Sequence, residues 1–327
     1  MQQWNEPRNL IGFGFLDREP LVMMPVFSLF RSAVLFLAFA AATPAQVAAP
    51  EVPPQTETEK HALLDRVIEH QKKNDAALEA YERIERVETR KNSASEQTPT
   101  VKISRVVPAG AGVDHIPLSL DGRPADTEAY RAELVKLEKS LAWAVEEGRA
   151  QQDAYAKIAK KRKEREELTD TARNAFLFSF LTREPRADRV LLKYSMVPNP
   201  AFKPTSRSSS FFTRVRGAVW IDEASGQLAR IEGEVTDDIS VGLLLAKVYK
   251  GSHFMQERYE AAPGIWLPSF SQYDFDGRKF FSSFSLHERT FYTNYRFIGP
   301  PKEALATIRA ELAHAELGKS GSTVAAP

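Results

Sequence analysis

Cysteine is absent from all 327 residues, so neither a disulfide framework nor a thiolate metal site can form. Charge of one sign is also missing. The formal net charge is +1, which gives no general attraction to nucleic acid. No apolar run reaches the roughly 20 residues a membrane-spanning helix needs. The six histidines, His61, His70, His115, His253, His287 and His314, form no His-x-x-x-His or His-Glu-x-x-His pair. His61 and His70 stand nine apart on an expected helix, about 13 Å along its axis, too far to clasp one metal. Neither a phosphate-cradling glycine loop nor a nucleophile elbow occurs, around Ser225 or in the 206–210 serine run. No cofactor is implied.

What is present begins with a short apolar stretch, 31–42, entered by Arg31 and followed by Thr43-Pro44-Ala45. A positive charge, about eleven apolar residues and small residues before a cut form the pattern of a secretory signal. The expected organisation is an extension at 1–23 preceding a start at Met24 or Met23, a signal peptide at 24–45 and a Pro/Glu/Thr-rich linker at 46–57. An uncleaved anchor is the competing reading of the run. Cleavage would deliver the remainder to the periplasm with no stable transmembrane segment. No cysteine follows the run to carry a lipid anchor.

With 43% apolar and 10% aromatic residues, the rest can build a core. A helix is predicted from Thr58 to about Leu78, with Leu63, Leu64, Val67 and Ile68 on one face. The 81–90 segment fits a strand with a charged outer face, and Tyr81, Ile84 and Val87 also fit a helix. Thr100 to Val107 and Asp114 to Leu120 read as strands, with a turn at Asp121-Gly122. One long charged helix is expected over 127–167. Its basic run at 160–163 is followed at once by acids, which fits a solvated, salt-laced face rather than a nucleic-acid site. A second, very apolar helix is expected at 171–181.

From Ala187 onward the pattern changes to strands joined by short turns, an antiparallel meander without crossover helices. Segments 214–222 and 227–235 flank a hairpin connection containing Gly226, which can take positive φ. On the second strand Ala229, Ile231, Gly233 and Val235 share one face, opposite Arg230, Glu232 and Glu234. Further strands are expected over 253–259, 265–275, 280–289 and 291–297. Asp276-Gly277 reads as a turn, and Asp274, Asp276 and His287-Glu288 lie near it; turn chemistry explains these carboxylates better than a cation site. A final helix at 302–317 leads into a small polar tail.

Gly217-Ala-Val-Trp-Ile-Asp222, Ser225-Gly-Gln-Leu-Ala-Arg-Ile-Glu232, Gly264-Ile-Trp-Leu-Pro268 and Thr293-Asn-Tyr-Arg296 resemble the periplasmic LolA/LolB-like proteins. Closest are the exported bacterial proteins of the outer membrane lipoprotein-sorting protein-like group. The resemblance covers about residues 187–297. It implies an α+β fold in which a strongly curved antiparallel sheet, the LolA-like half-barrel, wraps around helices. A domain over 58–300 would include the long charged helix, and 301–327 would form a C-terminal helix and tail. It further implies an apolar concave face that holds lipid or the acyl chains of a lipoprotein. No single arginine here matches the one by which such carriers are thought to release cargo.

Aromatic residues are dense between Trp266 and Phe297. They seal an ordinary core or line an apolar cleft. On the cleft reading Trp220, Trp266, Phe270, Tyr273, Phe275, Phe284 and Phe291 line it, and Phe176, Leu177, Phe178, Phe180 and Leu181 plug it. The expected function is a soluble periplasmic lipid- or lipoprotein-binding carrier. The alternatives are a structural or protein-interaction component of the envelope, and a hydrolase of unfamiliar type. The implied partners are lipid or acyl chains, and envelope proteins; nucleic acid is not among them.

Overall fold

The first described helix, α1 (Glu57–Leu78), is started by a capping box. Thr56 Oγ1 accepts from the Glu59 N–H, and the Glu59 carboxylate accepts from the Thr56 N–H at 2.8 Å; two otherwise orphaned donors are thereby satisfied. A computed structural model describes residues 56–91, 98–206, 208–241, 246–279 and 282–321. The extension, the signal peptide and nearly all of the linker expected before residue 57 lie outside the described residues. So does the turn expected at 91–95, apart from its first residue.

The chain continues through β1 (Tyr81–Lys91), β2 (Thr100–Pro108), β3 (Val113–Leu120) and the short β4 (Arg123–Pro124). Then come α2 (Thr127–Ala144) and α3 (Arg149–Ala175). The single long helix expected over 127–167 is thus two. Asp126 caps the first by accepting from the Glu128 and Ala129 N–H groups, and Gly148 stands at the N-cap of the second. Tyr155 Oη donates to the Ala144 carbonyl at 2.8 Å, satisfying an acceptor left open where α2 stops.

Beyond α3 the chain is extended. The 171–181 helix ends at Ala175, and Phe176 opens β5 (Phe176–Arg186), which pairs with β6 (Arg189–Pro198). Aromatic and β-branched partners across a ladder outweigh the weak helical spacing there. A 3₁₀ turn at Ser209–Arg214 precedes β7 (Val215–Asp222), β8 (Leu228–Val235), β9 (Ile239–Val241) and β10 (Ala246–Val248). Then follow β11 (His253–Ala262), β12 (Ile265–Lys279), β13 (Ser282–Phe297) and α4 (Pro301–Gly321). Segment 81–90 is a strand. Asp276-Gly277 is not a turn, because β12 runs through it. Gly277 pairs with Phe284, whose Cζ would lie 2.7 Å from a Cβ at that position. The Lys247 carbonyl oxygen would lie nearer still, at 2.2 Å, so close approach of the β10 backbone and of the ring, rather than a bend, accounts for the glycine.

The strands form one antiparallel sheet in the order β4-β3-β2-β1-β13-β12-β11-β8-β7-β6-β5, with β9 and β10 beside β12. This corrects the expected half-barrel: the sheet is open, its end strands β4 and β5 do not meet, and it is not strongly curved around one set of helices. The ladder register shows why. Trp220, Arg230, Glu257, Phe270, Phe291, Arg86 and Ile103 are successive cross-strand partners and therefore share a face. Arg105, two residues beyond Ile103, and its partner Ile116 share it too.

On that face, α2 and α4 cover only the β2–β3 end. Leu134, Leu137, Leu141, Leu305 and Ile308 pack there with Val107 and Ile116. The opposite face, at the other end, carries α1, α3 and the 3₁₀ turn. Leu63, Leu168, Phe211 and Phe212 pack on Tyr194, Val219, Val235, Phe254 and Tyr273. Helices on both faces cannot be wrapped by one concave surface. Among the described residues the first face is left uncovered across β7, β8, β11 and β12.

Candidate functional site

The uncovered face carries a trough of about 530 Å³. Arg216, Glu234, His253 and Asp274 cross it as successive register partners, and the same row continues beyond the trough to His287 and Arg90. In a parallel row Glu232, Met255 and Gln272 line the trough, and the register continues outside it to Ala218 at one end and to Arg289 and Glu88 at the other. Val197, Arg230 and the paired Gly217 and Gly233 complete the lining at the β6–β8 end. Phe254 underlies Gly233, with Cζ 2.4 Å from where a Cβ would stand. The floor can therefore be thin at this point.

Charge in the trough is arranged as pairs. Arg216 Nη2 donates to Glu234 at 2.9 Å, and that bond holds the Glu234 carboxyl below its ordinary range. Arg230 spans Glu232 at 2.6 Å and Glu257 at 3.1 Å. Its guanidinium also lies 4.7 Å from the Trp220 ring centroid, and Lys193 Nζ lies 4.5 Å from the same ring. Beyond Arg216 the surface turns apolar. Val197 and its register partner Leu177 are 42% and 48% exposed, so a water-facing apolar pair adjoins the charged row.

At the other end lies a polar cluster built from two cross-strand pairs, Asp274 with His287 and Asp276 with Ser285. His287 Nδ1 is 2.8 Å from Asp274 Oδ1, and His287 Nε2 is 3.1 Å from Ser285 Oγ. Gln272 donates to the second oxygen of Asp274, and Ser285 donates to Asp276. Among the described residues no group of three or more His, Asp or Glu side chains is arranged to hold a metal.

The residues named from sequence fall into separate groups. Phe176, Tyr273 and Phe275 are in the helix-covered core, with Phe178 and Phe284 packed against it. Phe176 meets Phe212 edge-on at 5.3 Å, and Tyr273 lies 5.5 Å from Phe275. Trp220 and Trp266 belong to another buried cluster, where Trp220 Nε1 donates to Glu184 and Arg189 covers Trp266. Phe270 and Phe291 meet edge-on at 6.1 Å on the uncovered face, with Arg86 over Phe291. Phe180 stands apart on the edge strand, against Tyr194. Sequence reasoning passed over Ser285, Arg216 and Val197. The signal lay in cross-strand register, which local alternation does not carry.

No family model and no curated protein matches the chain. Among solved structures, distant similarity is found to a domain named for outer membrane lipoprotein sorting, from Vibrio parahaemolyticus. It shows 11% identity and a TM-score of 0.29, over 72% of this chain and 93% of that one. A LolA superfamily protein from Nitrosomonas europaea is similar at 10% identity and a TM-score of 0.25, over 75% and 96%. A DUF1329 family protein from Desulfovibrio piger is similar at 10% identity and a TM-score of 0.27, over 72% and 92%.

Proposed function

We propose that this protein is a periplasmic binding or carrier protein whose ligand is amphiphilic, a lipid or the acyl chain of a lipoprotein, seated on the uncovered sheet face. The supporting observation is the continuity of one row of side chains, from exposed Leu177 and Val197 into the charged series Arg216, Glu234, His253 and Asp274. An acyl segment has apolar contact at one end, and a polar head has paired donors and acceptors at the other. From Val197 to His287 the row spans five strand spacings, roughly 24 Å at about 4.8 Å each. Covering four to six methylenes would contribute about 3–5 kcal/mol, so binding is reversible, as a carrier requires.

Trp220, Phe270 and Phe291 would support the ligand from below. Phe176, Phe178, Tyr273, Phe275 and Phe284 would take part only if the helix-covered side parted, with Trp266 and Phe180 at its margins. Among the described residues no helix is long and apolar enough to cross a membrane.

Protein isolated from its native envelope should carry lipid detectable by mass spectrometry, and purified protein should bind a fluorescent fatty acid. Val197→Asp should weaken that binding at least tenfold. Empty protein that also fails to take up the probe would remove the carrier reading. A protein-interaction role would then stand, favoured by the β5 edge, which pairs with no further strand among the described residues and exposes Leu177, Phe180 and Leu181.

A further inference from the structure

We propose that Ser285 is a nucleophile toward carboxylic esters, with His287 as its base and Asp274 as the group that orients the base. The inference goes beyond ligand binding and does not depend on what occupies the trough. It stands on geometry. Serine Oγ lies 3.1 Å from His287 Nε2, and Nδ1 of the same ring lies 2.8 Å from an Asp274 oxygen. A carboxylate only accepts, so Nδ1 carries a proton toward Asp274, and Nε2 stands within reach of Oγ to take the hydroxyl proton once it turns from Asp276. Nucleophile, base and orienter thus stand in the order that acyl-transfer chemistry uses, and such a constellation is recognised by geometry and role rather than by chain order.

The scaffold holds this arrangement rigidly. Asp274 and His287 are direct register partners on β12 and β13, two strands inside the sheet, and Ser285 is two residues from His287 on the same face. Gln272 holds the remaining oxygen of Asp274, which fixes the carboxylate against rotation. All three side chains are partly exposed beside the trough, so an ester can reach them. Arg90, the register partner of His287, brings a permanent cation to the same face, where it would stabilise negative charge on the carbonyl oxygen.

In the reaction, Ser285 Oγ bonds to the ester carbonyl carbon as its proton passes to His287 Nε2. The carbon–oxygen bond to the alcohol then breaks, and the imidazolium returns the proton to the departing oxygen. Water, deprotonated by the same nitrogen, attacks the acyl-serine and releases a carboxylic acid, regenerating the hydroxyl. Asp276 is a competing acceptor for the serine proton and holds the hydroxyl turned from the ring at rest.

The full chain should be treated with a fluorophosphonate probe and, separately, with p-nitrophenyl butyrate. We expect covalent label on the peptide containing Ser285, and turnover of the ester. Ser285→Ala and His287→Ala should each lower both by about a hundredfold or more, with unchanged circular dichroism. Asp276→Asn, which offers a donor to Oγ and releases the hydroxyl toward the ring, should raise the labelling rate severalfold. Label on another serine, or wild-type ester turnover by Ser285→Ala, would overturn the proposal. Complete failure of the folded wild-type chain to label or turn over would do the same. Labelling without uptake of the fluorescent fatty acid would keep this inference and remove the carrier reading; uptake without labelling would do the reverse.

Discussion

Replacing Arg105 by Met should unfold the protein far more readily, because one buried guanidinium ties together four elements and, through Glu82, reaches a fifth. Arg105 on β2 donates to Glu82 on β1 through Nε at 3.0 Å and Nη2 at 2.8 Å. It donates to both oxygens of Glu311 on α4, at 2.8 and 2.9 Å, and to the Tyr130 hydroxyl on α2 at 2.8 Å. Arg296 on β13 donates to the other Glu82 oxygen. Burial alone would push the Arg105 pKa down, but the hydrogen bonds to Glu82 and Glu311 outweigh it and raise it. The charge therefore persists at every working pH.

Methionine would fill the space of the stem and leave Glu82, only 7% exposed, with a single cation. Removing one member of a buried pair costs about 3–5 kcal/mol, which corresponds to a fall in Tm of roughly 6–20 °C for a domain of this size. Urea unfolding followed by circular dichroism measures the loss. Arg105→Lys should recover only part of it, since one ammonium cannot present the same fork to two carboxylates. A loss below about 1 kcal/mol, the range of surface ion pairs, would refute the claim that this network fastens α2 and α4 to the sheet.

Three other outcomes follow from the same kind of reasoning. Asn74, 2% exposed on α1, donates to Gln227 Oε1 at 2.8 Å and accepts from the Trp266 N–H at 3.0 Å. Asn74→Leu strands both groups and should cost about 2–4 kcal/mol in urea unfolding. Gly233→Val drives a side chain into the Phe254 ring and should cost about 1–3 kcal/mol by the same measurement. Burial pushes the Asp114 carboxyl up, against the lowering effect of its hydrogen bond with Ser140. The folded state therefore holds that proton more tightly than the unfolded chain. Its contribution is fully present below the ordinary Asp range near pH 3.9 and is lost as pH rises through the raised value. Asp114→Asn, which mimics the neutral acid, should raise Tm at pH 7, with the gain vanishing near pH 3 in a pH series of thermal melts.

Much of the fold was legible wherever one face of an element is buried and the other wet. The alternation in 227–235 identified β8, and the spacing of Leu63, Leu64, Val67 and Ile68 identified α1. The Phe-Leu-Phe-Ser-Phe-Leu run at 176–181 was read as helix because a short apolar run fits either period. Its partners on β6 decided the matter. The break between α2 and α3 rests on one glycine within charged sequence, a weak signal beside 18 and 27 residues of helix formers. Half-barrel curvature came from resemblance and not from any residue, and the placement of helices on opposite faces replaced it.

The site was less legible for a more general reason. Asp274 and His287 are 13 residues apart and Asp276 and Ser285 are nine apart. Both separations are set by where β12 turns into β13. Reading Asp276-Gly277 as that turn placed the bend before its actual position and removed both pairings.

The central claim is that ligand binds on the uncovered sheet face rather than beneath α1 and α3. Backbone amide shifts during titration with a lysophospholipid, below its micelle concentration, test this most directly. The account predicts that the largest shifts fall on Val197, Arg216, Glu234 and His253 and saturate together. Saturating shifts confined to Leu63, Phe211, Val219 and Phe275, inside the helix-covered core, would contradict it.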